Sequence, residues 1–308
     1  MICGFTQEEL ESCFKEQLDK FAKDKDMDYE KLLTLIEKWY GGYSWNGKDH
    51  LYNPFFILSL LGKGEFGNFW FETGTPSFLM DFIMNNNENI SALFREKTII
   101  GGGFPNFDLD YLDLTTLLLQ TGYLTIKTQD IVVGELPSYE LAIPNHEVNQ
   151  SLFTYIIKEF SNQNSSDIAK ITKKILKAIT THDNELLQNT FDTLIATIPA
   201  IQYDKIKKDI REANYHILFL ACFRLMGFFT LGEVPSSKKT PDTLLKKDNL
   251  IIIYELKYDE NKNLNDLVME AIDQIKDLEY YKPYLDYDVV LLGVAFGDRE
   301  VKSYIESL

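Results

Sequence analysis

Two carboxylates and a lysine at the end of an apolar strand are the side chains in this sequence best placed to do chemistry. Residues 250–257 read LIIIYELK and close on Glu255 and Lys257, and Asp242 stands upstream in TPDTLLKK. Alternate residues of a strand share a face, so Ile251, Ile253, Glu255 and Lys257 point one way and Leu250, Ile252, Tyr254 and Leu256 the other. The polar segment KKDN (246–249) reverses the chain between two strands. With that turn centred on Lys247-Asp248, Asp242 is expected across from Ile253, one diagonal step from Glu255, roughly 7–8 Å in a regular pair. Buried charges are costly unless they pair or bind a metal. Two carboxylates are the hard oxygen donors that suit Mg²⁺ or Mn²⁺. The competing reading is a surface hairpin whose last residues form a solvated ion pair.

The elements around the hairpin decide how these groups are held. Residues 214–229 (NYHILFLACFRLMGFF) read as a mostly buried helix, 230–234 as a short strand carrying Glu233, and 288–296 (DVVLLGVAF) as a final apolar strand. Residues 263–281 form an amphipathic helix with Leu264, Leu267, Ala271 and Leu278 at helical spacing, and Gln274 sits on or beside that stripe. The order is αβββαβ. Pro241-Asp242, twelve residues, then Glu255-Leu256-Lys257 in this order of elements resembles the PD-(D/E)xK nuclease superfamily and its restriction-endonuclease-like core. Gln274 with Tyr280, the pair Tyr215-His216, Glu233, and Gly293–Phe296 resemble a branch in which the nuclease is fused behind an AAA-ATPase-like domain. The resemblance implies that Asp242 and Glu255 hold the metal, with Glu233 as a third acidic contact and the Leu256 carbonyl as a further ligand. It implies that Lys257 assists the attacking water, and that Gln274 and Tyr280 shape the site or touch the scissile strand. Members usually carry Gly-Arg-x-Asp before the hairpin; Lys239-Thr240-Pro241-Asp242 keeps the acid and lacks the arginine. Glu212 and His216 lie one helical turn apart. His216 reads as a satisfied core polar group and Glu212 as a first-turn acid, although in parts of the superfamily an acid there joins the site.

With 308 residues, two or three domains are expected, giving an α/β chain with a helical N-terminal half. Thr6 and Glu9 have the spacing of a capping box, and a first helix is expected to run to about Lys23. Tyr29–Tyr40 forms a second helix, and Asn53-Pro54 starts another. The stretch WYGGYSWNGKDHLYNPFFIL (39–58) resembles the end of the AAA-ATPase-like domain of the same family. No GxxxxGK[ST] loop occurs, so the chain is expected to begin inside that domain and to hydrolyse no ATP alone. Residues 109–121 read as a helix, and 122–127 and 138–144 as a hairpin. With IPNHEV (143–148) they resemble the family's winged-helix-like linker, and Asn145 is the expected cap of the next helix. His146 beside that cap reads as a local hydrogen-bonder. SNQNSS (161–166) reads as a linker. The expected division is 1–73 ATPase remnant, 74–160 linker domain, 161–213 helical connector and 214–308 nuclease-like domain.

The net charge of −16 argues against a passive nucleic-acid binder, which needs clustered Lys and Arg. Lys238, Lys239, Lys246 and Lys247 form a local basic patch at the hairpin, or merely protect an edge. No apolar stretch is long enough for a membrane span, the N-terminus has no signal-peptide pattern, and Cys3, Cys13 and Cys222 have no metal spacing, so a cytoplasmic location is expected. Two functions follow. In the first, the chain is a Mg²⁺- or Mn²⁺-dependent nuclease acting on nucleic acid, with DNA or RNA left open, in which Asp242→Ala and Lys257→Ala abolish cleavage with little change in melting temperature. In the second, it is a catalytically silent docking or regulatory module beside an AAA-type ATPase portion or partner.

Overall fold

The strand that carries Glu255 and Lys257 lies at the centre of a five-stranded sheet. The structure is a computed structural model that describes residues 4–69, 95, 98–101, 114–130, 136–199, 211–231 and 243–308. The chain is mixed α/β and divides into two compact units, one of Met1–Pro76 with Asn89–Leu152 and one of Ser77–Glu88 with Phe153–Leu308. Most of the stretch 74–113, within the expected linker domain, lies outside the described residues.

In the first unit, α1 (Gln7–Cys13), α2 (Lys15–Asp24), α3 (Tyr29–Tyr40) and α4 (Pro54–Lys63) enclose an apolar core of Leu10, Leu18, Leu32, Ile36, Phe56 and Leu60. The Thr6–Glu9 capping box forms. The expected single first helix is broken at Phe14, whose backbone leaves helical geometry (φ −121°, ψ 19°) and whose ring packs edge-on to Phe5 at 5.3 Å. A three-stranded antiparallel sheet has the order β1 (Thr98–Gly101), β3 (Ser138–Ala142), β2 (Thr125–Asp130). The β2–β3 hairpin was expected and β1 was not. Before β2 lies α5 (Leu114–Gln120), and after β3 comes α6 (His146–Phe160), whose residues from Phe153 on belong to the second unit.

The glycines of the aromatic stretch 39–58 have a packing reason. Gly42 sits at φ +85°, and a Cβ there would lie 2.4 Å from the Pro144 carbonyl oxygen. The Asn145 amide caps α6 by accepting from the Val148 N–H and also donates to the Gly41 carbonyl. Ser44 N–H donates to Thr125 Oγ1, which donates back to the Ser44 carbonyl. His146 packs its ring against Trp39 at 4.5 Å, and burial with the nearby Lys38 charge holds its pKa below the ordinary value.

In the second unit, α7 (Ser165–Thr180), α8 (Asn184–Ala196), α9 (Arg211–Leu225) and α10 (Leu264–Asp277) accompany a sheet of order β4-β5-β6-β7-β8. The polar segment 161–166 lies within this unit. The strands are β4 (Phe229–Leu231), β5 (Thr243–Lys247), β6 (Leu250–Tyr258), β7 (Asp288–Phe296) and β8 (Val301–Ser307). All pairs are antiparallel except β6–β7, which is parallel and therefore needs the crossover that α10 supplies.

Four details differ from the sequence reading. First, α9 ends at Leu225, because Gly227 takes φ +90° and the Gly227 and Phe228 amides bond back to the Arg224 and Phe223 carbonyls. This is a Schellman cap. Second, α10 ends at Asp277 in the same way. Glu279 takes φ +54°, and the Glu279 and Tyr280 amides bond to the Lys276 and Ile275 carbonyls. Third, the hairpin turns on Asp248-Asn249 rather than Lys247-Asp248, so Leu244, not Asp242, pairs with Ile253. Asp248 takes the left-handed φ of +50°, which Asp tolerates better than Lys does. Fourth, β8 is an added strand. Its outer edge is covered by α8: the Gln188 amide accepts from Ser303 N–H and donates to the Val301 carbonyl, and the Asn184 amide bonds both polar groups of Ile305. These bonds satisfy groups that a bare edge strand would expose.

Candidate active site

Alternation along β6 sends its residues to two helices. Ile251 and Ile253 pack with Ile272, Ile275, Val289 and Leu291 on the α10 side. Tyr254 lies near the rings of His216 and Phe223 on the α9 side. Full burial of each such Ile contributes about 1.5–3 kcal/mol, which fixes the register and so fixes where the charged end of the strand emerges.

Two steps beyond Ile253 on the α10 side comes Glu255, 1% exposed. Lys257 Nζ donates to Glu255 Oε1 at 3.0 Å and also to Gln274 Oε1. Gln274 Nε2 in turn donates to Glu255 Oε1. Carboxylate, ammonium and amide thus close a triangle, two members from β6 and one from α10. The Lys257 side chain is 26% exposed, so the triangle is open to solvent on the lysine side. Gln274 had stood out in the sequence as a polar residue beside an apolar stripe, and these two bonds account for it.

Close approach of α10 is what lets Gln274 reach. Gly293 is the β7 neighbour of Glu255. A Cβ at Gly293 would lie 2.8 Å from the Val268 carbonyl oxygen and 3.0 Å from Ile272 Cγ1, so only glycine lets the helix backbone lie this near the strand. On the other side of the sheet, Tyr215 of α9 stacks on Phe296 at 4.2 Å, and Phe219 meets the same ring at 5.4 Å. Gly293 and Phe296 therefore seat one helix on each face.

The other expected site residues are placed as follows. Tyr280 is 4% exposed and packs in the core with Ile275, as the apolar contact of the Schellman cap. His216 Nε2 and Thr243 Oγ1 share a hydrogen bond of 2.8 Å, and Glu212 is exposed. Thr243 was not singled out from the sequence. Its signal was a hydroxyl at the mouth of the hairpin, on the strand face turned to the first core helix. Asp242 and Glu233 lie outside the described residues, as do Lys238 and Lys239. Thr243, which follows Asp242, pairs with Tyr254, which precedes Glu255. Lys246 Nζ lies over the Tyr287 ring at 4.7 Å, and Lys247 Nζ donates to the Met226 carbonyl at the end of α9. Both lysines are thus engaged in packing. Burial pushes the Cys222 thiol up to about 12, which excludes it as a thiolate nucleophile near neutral pH.

Among the described residues, no group of three or more His, Cys, Asp or Glu side chains gathers to hold a metal ion. The donor set fits a hard cation in kind, since Glu255 offers a carboxylate and Leu256 a backbone carbonyl. Among the described residues, no helix is long and apolar enough to cross a membrane.

A chain from Azotobacter chroococcum mcd 1, described as an uncharacterized protein in the vnfD 5′ region, is 28% identical over 306 residues, 99% of this chain. The chain spans 56% of that relative's length. No solved structure matches. Residues 210–304 match the PD-(D/E)XK nuclease superfamily, and this part of the chain, with Glu255, Lys257 and Gln274 at its centre, is a nuclease superfamily domain.

Proposed function

We propose that the chain is a metal-dependent nuclease that hydrolyses phosphodiester bonds of nucleic acid, with Glu255, Lys257 and Asp242 as its catalytic groups. The observation that supports it most is the Glu255–Lys257–Gln274 triangle, a buried carboxylate and a partly exposed ammonium fixed at one strand end. Nucleases of this superfamily generally use divalent metal ions. Glu255, the Leu256 carbonyl, Asp242 and Glu233 would hold one here, and such an ion, Mg²⁺ or Mn²⁺, polarises the phosphodiester and acidifies a bound water.

The chain's own residues do the rest. Glu255 and Gln274 hold the Lys257 ammonium in one orientation, so that it meets a developing negative charge without reorganising. Gln274 ties both groups to α10, and the apolar packing of Ile272, Ile275 and Tyr280 keeps that helix in place. Tyr280 shapes the site from within the core.

A cleavage assay tests the proposal. Single- and double-stranded DNA and RNA are incubated with the chain and Mn²⁺ or Mg²⁺, beside Glu255→Gln and Asp242→Asn. Cleavage by the wild-type chain alone is expected, and cleavage that persists in both variants would refute the assignment. The second reading, a silent docking module beside an AAA-type ATPase, draws support from Lys246 and Lys247, whose ammonium groups are engaged in packing. It requires that Mn²⁺ leave the melting temperature unchanged, because a ligand that binds only the folded state must raise it.

A further inference from the structure

We propose that His216 is a positioning residue for the Glu255 carboxylate, acting through Thr243 from the opposite face of the sheet. The inference rests on the nuclease reading and extends it to a residue that touches none of Glu255, Lys257 or Gln274 in the contacts described above.

The clamp is built from three observations. Thr243 is the first described residue of β5 and pairs with Tyr254 of β6. Its hydroxyl, on a residue 7% exposed, is bonded to His216 Nε2 at 2.8 Å. The His216 ring also lies 5.5 Å from the Tyr254 ring, so one imidazole meets both members of this rung. Tyr254 is followed by Glu255, whose side chain turns to the other face by strand alternation.

Of the five residues of β5, Thr243 is the one whose β6 partner, Tyr254, adjoins Glu255. The anchor beneath it is firm. On α9, Tyr215 next to His216 is stacked on Phe296, and Phe223 and Phe228 meet edge-on at 5.7 Å beyond it. The hydrogen bond from His216 therefore ties the Thr243–Tyr254 rung to a helix packed on the same sheet through Tyr215 and Phe296. Reacting groups must be held within about 0.5 Å of the productive geometry, and a misplacement of about 1 Å costs on the order of a hundredfold.

The test compares His216→Ala, Thr243→Val, their double variant and Thr243→Ser with the wild-type chain and with Glu255→Gln. Hydrogen–deuterium exchange across residues 243–258 reads the clamp directly, and kcat and KM for cleavage with Mn²⁺ read its consequence. His216→Ala and Thr243→Val are each expected to speed exchange at the Thr243–Tyr254 rung by roughly five- to tenfold, the size of one net hydrogen bond. Each is expected to lower kcat by about ten- to a hundredfold with KM little changed. The double variant is expected to be no worse than either single one, since both remove the same bond, and Thr243→Ser is expected to behave as wild type. Unchanged exchange in both single variants overturns the proposal. So does an inactive His216→Ala beside a fully active Thr243→Val, because His216 would then act on its own. A kcat loss matched by an equal loss of folded protein overturns it too. If the wild-type chain and Glu255→Gln are equally without cleavage, it is the nuclease reading that fails, and exchange alone then decides the clamp.

Discussion

A carboxylate that is 1% exposed has to be compensated where it sits, and Glu255 is compensated by Lys257 and Gln274. Removing one partner of a buried pair leaves the other charge without its counterpart, at about 3–5 kcal/mol for a fully buried pair. The Lys257 side chain is 26% exposed, so water screens part of that penalty and about 1–3 kcal/mol is the reasonable scale. Lys257→Ala should therefore lower the melting temperature by several degrees. This replaces the expectation from sequence that the substitution would leave stability nearly unchanged. Lys257→Ala combined with Glu255→Gln should recover most of the loss, because a neutral amide needs no ammonium. Differential scanning fluorimetry without divalent cation checks this, and a double variant less stable than Lys257→Ala would refute it. The pairing itself was legible, because Glu255 and Lys257 share a face by alternation alone. That Gln274 bonds both was not, since it depends on how far α10 lies from the sheet. Tyr280 carried no sign that it belongs to a helix cap, because Glu279 gives no hint of a left-handed φ.

At the scale of elements, glycine and aromatic residues on one strand determine where the site's helices stand. Gly293 leaves room for the α10 backbone, and Phe296 receives Tyr215 from α9. Gly293→Ala would put a Cβ 2.8 Å from a backbone carbonyl oxygen, which no rotamer change relieves. The helix must move instead, at about 1–3 kcal/mol for an overpacked core. Gln274 would move with it, so Gly293→Ala should lower the melting temperature and lower kcat together. Cleavage at the wild-type rate in a destabilised Gly293→Ala would separate the two effects and show that α10 does not set the site. The helices and the apolar strands of this unit were readable from periodicity. Their ends were not, because Schellman caps at Gly227 and Glu279 stop both helices a few residues before the apolar pattern does. The hairpin register was missed by two residues, because the choice between Lys247-Asp248 and Asp248-Asn249 turns on one positive φ. β8 alternates cleanly, with Val301, Ser303 and Ile305 buried. Its middle buried position is a serine, which reads as polar until Gln188 is seen to bond it.

Over the whole molecule, charge decides how a polyanion can be approached. The chain carries −16, and the two described hairpin lysines are held by Tyr287 and the Met226 carbonyl. Those two described ammonium groups are therefore not what would draw nucleic acid to Glu255 and Lys257. Each phosphate neutralised by a protein cation contributes about −0.9 to the slope of log affinity against log salt for duplex DNA. If attraction comes from Lys257 and one or two neighbours, with a divalent cation supplying the rest, the slope should be about −2 to −3. It should be measurable by fluorescence anisotropy over a salt series at constant Mn²⁺, with Lys257→Ala shallower by about one. Non-specific affinity should also be weak, since the net charge repels a duplex that comes within the Debye length, about 10 Å in 0.1 M salt. A slope near −6 or steeper would mean many phosphate contacts and would place binding on a surface other than the one around Lys257. A shallow slope that Lys257→Ala leaves unchanged would separate binding from the triangle altogether.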